Sequence, residues 1–101
     1  MSRFLIVYRG APGGHESEGA EHVPSNWQAW FDGLGSAVID QGGLTHSSVE
    51  IPSRLRGPKL SSSALSGYSI IEAEDFDAAV KIAEDCPIFD EKGSVEIARL
   101  N

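Results

Sequence analysis

Gly67-Tyr68-Ser69-Ile70-Ile71-Glu72-Ala73 runs directly into Glu74-Asp75-Phe76-Asp77-Ala78-Ala79. The first seven residues are aromatic or β-branched at their centre and open on a glycine, which spells a strand. Asp75 is a helix-capping residue type, and Asp77 falls in the first turn, where a carboxylate favours the helix dipole. The spacing predicts a helix with Phe76, Ala79, Val80 and Ala83 on its buried face, ended by Pro87 directly after Cys86. Asp90 to Gly93 reads as a turn. Ser94 to Leu100 reads as a last strand, with Val95 and Ile97 alternating against Glu96.

The N-terminal half repeats this order. Phe4-Leu5-Ile6-Val7-Tyr8 is apolar at both parities and ends near Gly10, so it reads as a central strand with both faces covered. Gly10 to Pro24 carries no apolar periodicity and reads as a loop. Its Gly13-Gly14-His15 lacks the Gly-Lys-Ser/Thr ending of a phosphate loop. Ser25 and Gln28 form a capping-box pattern, and Trp27, Trp30, Phe31, Leu34 and Val38 recur at helical spacing. Gly33 and Gly35 lower the propensity of that helix, so packing of the aromatic face must hold it. Asp40-Gln41-Gly42-Gly43 reads as its stop. Leu44 to Ile51 reads as a mixed edge strand, and 52–66 as a long loop carrying Arg54, Arg56 and Lys59.

Strand–helix–strand occurring twice is the ferredoxin-like plan, α+β, with a four-stranded antiparallel sheet and two helices on one face. The two most apolar strands, first and third, are expected side by side as a parallel central pair. The opposite sheet face would keep apolar side chains, and a homodimer packed sheet on sheet is expected to cover them.

The 101 residues are one domain's length, with 41% hydrophobic and 23% charged residues, ordinary for a folded domain. Eight basic and fifteen acidic residues give a net charge of −7, a field that argues against nucleic acid as partner. No apolar run is long enough for a membrane span. Met1-Ser2-Arg3 leads into the first strand without a small-residue cleavage site, so no secretory signal is expected. A single cysteine leaves no internal disulfide and fits a reducing, cytoplasmic setting.

Gly67 to Ala79, continuing to Cys86-Pro87, resembles the second half of YCII-related proteins. Phe4 to Gly10 resembles their first strand, and Trp27, Trp30 and Asp40 to Gly43 resemble their middle. The resemblance implies a dimeric α+β barrel of two ferredoxin-like subunits, bacterial and cytosolic, mostly without an assigned reaction. It also implies that some members use a His–Asp pair near the first helix and that a few related domains are dehydrochlorinases. In the related DGPF proteins, named for an Asp-Gly-Pro-Phe motif, the genes often neighbour sigma factors, which suggests a regulatory setting. Here Arg56-Gly57-Pro58-Lys59 stands where that motif would be sought, and Trp27 to Val38 contains no histidine.

The combination with acid–base potential is His22, His46 and Asp40. An imidazole moves protons near neutral pH, and a carboxylate fixes its tautomer. His15 sits among glycines and glutamates and reads as solvated. The three histidines match no zinc spacing, so no metal or cofactor is expected. Cys86, at a helix C-terminus after Glu84 and Asp85, is expected to be structural, its thiol pKa raised by those negative neighbours. Trp27, Trp30 and Phe31 are expected to line an aromatic pocket between the first helix and the sheet, and Tyr8, Arg9, Trp27, Trp30 and Tyr68 are its candidate ligand-binding residues, with Ser69 nearby. The leading expectation is a small-molecule-binding or regulatory module. The alternatives are a small lyase-like enzyme using a histidine with a carboxylate partner, and a protein-interaction module.

Overall fold

A computed structural model of the chain describes residues 1–10, 23–45, 47–61 and 64–101. The element order is β1 (Ser2–Arg9), α1 (Pro24–Leu34), β2 (Val38–Leu44), β3 (Val49–Glu50), β4 (Lys59–Leu60), β5 (Leu65–Ala73), α2 (Phe76–Glu84) and β6 (Ser94–Arg99). A four-stranded sheet runs β2-β5-β1-β6, and β3 and β4 form a separate two-stranded ribbon. This is the ferredoxin-like α+β plan. Each β–α–β crossover skips one strand position, which places β1 and β5 in the centre.

The central pair is antiparallel, with Leu5 opposite Ile70 and Val7 opposite Tyr68, not parallel as the sequence reading had it. The cause is the crossover itself. A strand separated by one position from its crossover partner is parallel to that partner and antiparallel to the strand between them.

Phe4, Ile6 and Tyr8 of β1 and Ile71 and Ala73 of β5 point to the helix-covered face. They pack with Trp27 and Phe31 of α1, Ala79 and Ala83 of α2, and Cys86 and Ile88 beyond it. The other parity, Leu5, Val7 and Ile70, is only half-buried, so β1 is covered fully on one face alone.

α2 forms as its local signals dictate. The Asp75 carboxylate accepts a 2.9 Å hydrogen bond from the Ala78 N–H, and Asp77 and Lys81 occupy the first and last turns. Phe76 and Val80 depart from expectation, remaining 42% and 43% exposed. They lie on the flank of α2 that faces β6, the edge strand, beyond which no further strand follows.

α1 departs further. It begins at Pro24, with Val23 as N-cap and no side-chain cap, so the Ser25–Gln28 capping box does not form. Proline at the first helical position takes over the start. The helix ends ten residues later at Leu34, and Gly35, at φ 57°, supplies the stop. A short 3₁₀ turn over Gly35–Ala37 then feeds β2. Asp40-Gln41-Gly42-Gly43 is therefore strand, not helix stop, and the expected Leu44–Ile51 strand is replaced by β2 and the start of the ribbon. Part of the expected loop 52–66 is strand too: β4, and the start of β5.

The segment 45–61 carries the ribbon. Val49 pairs with Leu60 and Glu50 with Lys59. Gly57, at φ 70°, closes a turn in which its N–H bonds the Ser53 carbonyl at 3.0 Å.

Candidate functional site

β2 is irregular where it borders α1. Its register with β5 shifts on both sides of Asp40. Gly42 adopts φ 75°, and a Cβ there would collide with the Tyr68 carbonyl oxygen. The Asp40 carboxylate accepts a 2.8 Å bond from the Gly42 N–H and holds this bulge. The strand is thereby pushed close to β5 at one point and held off α1 beside it.

The gap left between α1 and β2 is a cavity of about 190 Å³. Tyr8, Trp27 and Phe31 form its aromatic wall, and Gln28, Gln41 and Leu44 its rim; Pro24, Gly42, Gly43 and Tyr68 complete it. Among the described residues, none that lines it carries a formal charge. Tyr8 stands edge-on to Trp27, with centroids 4.9 Å apart and planes at 87°. Trp27 continues to Trp30 at 6.1 Å and Phe31 at 6.4 Å. Such pairs add about 0.5–1.5 kcal/mol each beyond their buried area.

A buried hydrogen-bond chain runs under this wall. The Tyr8 hydroxyl donates to Ser69 Oγ at 2.7 Å, and Ser69 Oγ donates to the Gln41 carbonyl at 2.7 Å. Ser69 is fully buried, so both partners are needed to satisfy it. Burial pushes the Tyr8 phenol well above its ordinary range, only partly offset by the bond to Ser69. The phenol is therefore a neutral donor over the whole physiological range. On the far side, Trp27 Nε1 donates to Glu91 Oε2 at 2.7 Å and ties α1 to the segment after α2.

The sequence-nominated residues divide. Tyr8, Trp27 and Tyr68 border the cavity. Trp30 lies elsewhere: its Nε1 donates to the Ile82 carbonyl at 3.3 Å and joins the two helices. Arg9 has the parity of Leu5 and Val7, so it belongs to the uncovered sheet face, where its guanidinium lies 3.4 Å from Glu96. Asp40 is engaged by its own bulge. His15, His22 and His46 lie outside the described residues, so no imidazole is placed beside Asp40 or the cavity. Phe31, named with the two tryptophans as a pocket-lining residue, also borders it; Gln28 and Gln41–Leu44 were not nominated. The Gly42-Gly43 pair was the available signal, but it was read as a helix stop.

Cys86 is buried beneath β1, and its thiol is pushed up to about 12. Burial is the main cause. A backbone hydrogen bond at Ile88 opposes it, and Glu91 and Asp90 add to it. The expected direction holds, but the carboxylates that act are these two, not Glu84 and Asp85.

Among the described residues, no group of three or more His, Cys, Asp or Glu side chains could hold a metal ion, and no helix is long and apolar enough to cross a membrane. No protein-family model and no curated protein matches the chain. A solved structure does: 5-chloro-2-hydroxyhydroquinone dehydrochlorinase (TftG) from Burkholderia phenoliruptrix AC1100, in complex with 2,5-dihydroxybenzoquinone. The two are 17% identical, with a TM-score of 0.61, over 98% of this chain and 93% of that one. They share the fold.

Proposed function

We infer that this chain is a small-molecule-binding protein whose ligand is a neutral, flat, ring-sized compound held between α1 and β2. The uncharged aromatic cavity carries this reading. A charged ligand would find no counter-charge there, and its desolvation would go uncompensated. The size fits one ring: an apolar cavity of about 150 Å³ accepts benzene, and this one is only somewhat larger. Gln28, the Tyr8 hydroxyl and the backbone of the Gly42–Gly43 bulge supply polar groups for substituents. TftG, which shares the fold, was solved in complex with 2,5-dihydroxybenzoquinone; the hydroxyls of that quinone are vinylogous acids, ionised at neutral pH, so its neutral reduced relatives, the hydroxybenzenes, are the first probes.

Isothermal titration with hydroquinone, a neutral single-ring hydroxybenzene, tests the reading. Saturable binding near one per chain is expected, lost when Leu44→Trp fills the mouth of the cavity. Binding that survives this change would place the ligand elsewhere. No heat with hydroquinone or with other neutral hydroxybenzenes would sink the reading.

A lyase-like activity is the second reading, supported by the dehydrochlorinase activity in the name of that neighbour. It needs His22 or His46 as base and Asp40 as its orienter, through the carboxylate oxygen that does not accept from the Gly42 N–H. Chloride release from a chlorinated hydroxyhydroquinone, abolished in His22→Ala or His46→Ala, is its signature.

The reading includes a homodimer packed through the uncovered sheet face. Half-buried Leu5, Val7 and Ile70, with Tyr68 40% exposed, support it. Membership of the YCII-related proteins and a cytoplasmic location belong to the same proposal.

A further inference from the structure

The segment 45–61 is unusual in what it shows to solvent. Val49, Ile51, Leu55 and Leu60 are 63%, 69%, 97% and 85% exposed. A two-stranded ribbon has no core of its own, so these side chains gain nothing from the fold as it stands. The segment is also the basic part of an acidic protein. It holds three basic residues and one acidic, against five basic and fourteen acidic in the rest of the chain. Lys59 lies 3.8 Å from Glu50 across the ribbon. Arg54 and Arg56, either side of Leu55, have no ion-pair partner among the described residues. The tip is an apolar knob between two free cations.

A second feature has the opposite character. Phe76, Val80 and Glu84 of α2, Phe89 after it, and Val95 and Ile97 of β6 line an open groove of about 350 Å³. Val95 pairs opposite Tyr8 and Ile97 opposite Ile6, so the groove lies on the helix side of the sheet, along its free β6 edge. Phe76, Val80 and Phe89 are each more than 40% exposed. The surroundings are acidic: Glu84 lines the groove, and α2 with its flanking residues, 74–85, carries five acidic side chains and one basic. Arg99 stacks over Phe76 at 5.1 Å, so positive charge meets the groove at that end.

We propose that the Arg54-Leu55-Arg56 tip of one chain docks into the Phe76–Val80–Phe89 groove of a second copy. Apolar knob meets apolar groove, and two unpaired guanidinium groups meet the acidic flank, which selects this surface over the rest of the chain. The contact uses the helix side of the sheet and is separate from the open sheet face. A two-fold dimer would make it twice.

Disulfide trapping between two single variants tests this. Leu55→Cys and Val80→Cys chains are mixed and oxidised; both positions are exposed, so folding is undisturbed, and buried Cys86 does not compete. A Leu55–Val80 heterodimeric crosslink is expected, in excess over either chain alone. Sedimentation of Leu55→Asp should show a dimer dissociation constant raised by about tenfold or more. Added salt should weaken the unmodified dimer in the same direction. A dimer without the heterologous crosslink, and unmoved by Leu55→Asp, overturns arm docking while leaving sheet packing intact. Closure within one Leu55→Cys/Val80→Cys chain, or a monomer at all concentrations, also overturns it.

Discussion

The two helices cover the same sheet face by different means. α2 is built from local signals: a side-chain cap at Asp75, an acid in the first turn, a lysine in the last, and alanines at the contact. α1 has no side-chain cap, no acid in its first turn and no base in its last. It is held by Trp27, Trp30 and Phe31 against β1, α2 and the segment beyond α2. Alanines let α2 sit close to the sheet. Bulky rings hold α1 away from a bulged strand, and the space between them is the cavity. Beside the cavity, local helix signals are weakest and tertiary packing does the holding.

The largest expected effect follows from that contrast. Phe31→Ala removes one of the three rings that hold a helix without side-chain cap, and should lower unfolding free energy by about 3–5 kcal/mol. Urea denaturation measures this. A loss below about 1 kcal/mol would mean that α1 stands on local propensity after all.

The legible parts of the sequence follow the same division. β1, β5, β6 and α2 were readable because periodicity, cap and stop agree there. The α1–β2 passage was misread because glycine is ambiguous in one dimension. Gly35 ends the helix, whereas Gly42 permits a bulge, and only the neighbouring Tyr68 carbonyl distinguishes the two roles. That error hid Gln41–Leu44 as a wall of the cavity. Tyr8 and Trp27 were nominated from aromatic content near a central strand. Arg9 was nominated beside Tyr8, but strand alternation sends it to the opposite face.

The seam between the two halves makes the next prediction. Cys86 follows α2 and lies under β1, its thiol raised from an ordinary 9.0 to about 12. Below about pH 9 neither state ionises the thiol, and its contribution to stability is fully present. Above that, the unfolded chain loses its proton while the folded chain keeps it. Stability should then fall with rising pH, by up to ~1.4 kcal/mol per pH unit, until the folded thiol ionises near 12. Tyr8, also raised by burial, adds in the same direction higher in the range. Denaturation of the parent and of Cys86→Ala across pH 7 to pH 11 checks the sign (the variant's profile should be flatter). Equal profiles would mean the thiol is hydrated in the folded state.

The smallest effects bear most directly on the comparison, because they exchange the two helices' devices. Asp75→Ala removes the bond to the Ala78 N–H and should cost about 1 kcal/mol. At α1 the reverse change is open. Val23 already holds extended N-cap geometry, at φ −116° and ψ 98°, without a side chain able to accept from the first-turn N–H groups. Val23→Asp offers a carboxylate to those donors and to the positive end of the helix dipole. It should raise stability by roughly 0.5–1 kcal/mol, since Val23 is exposed and leaves no void. Pro24 borders the cavity, so a tighter first turn also stiffens one wall. If ligand entry needs that turn to open, association slows while stability rises. If the cavity is preformed, stability rises and the association rate stays as it was. A loss of stability would show instead that the N-terminus of α1 already has partners for its N–H groups, and that its apparent lack of a cap was never a weakness.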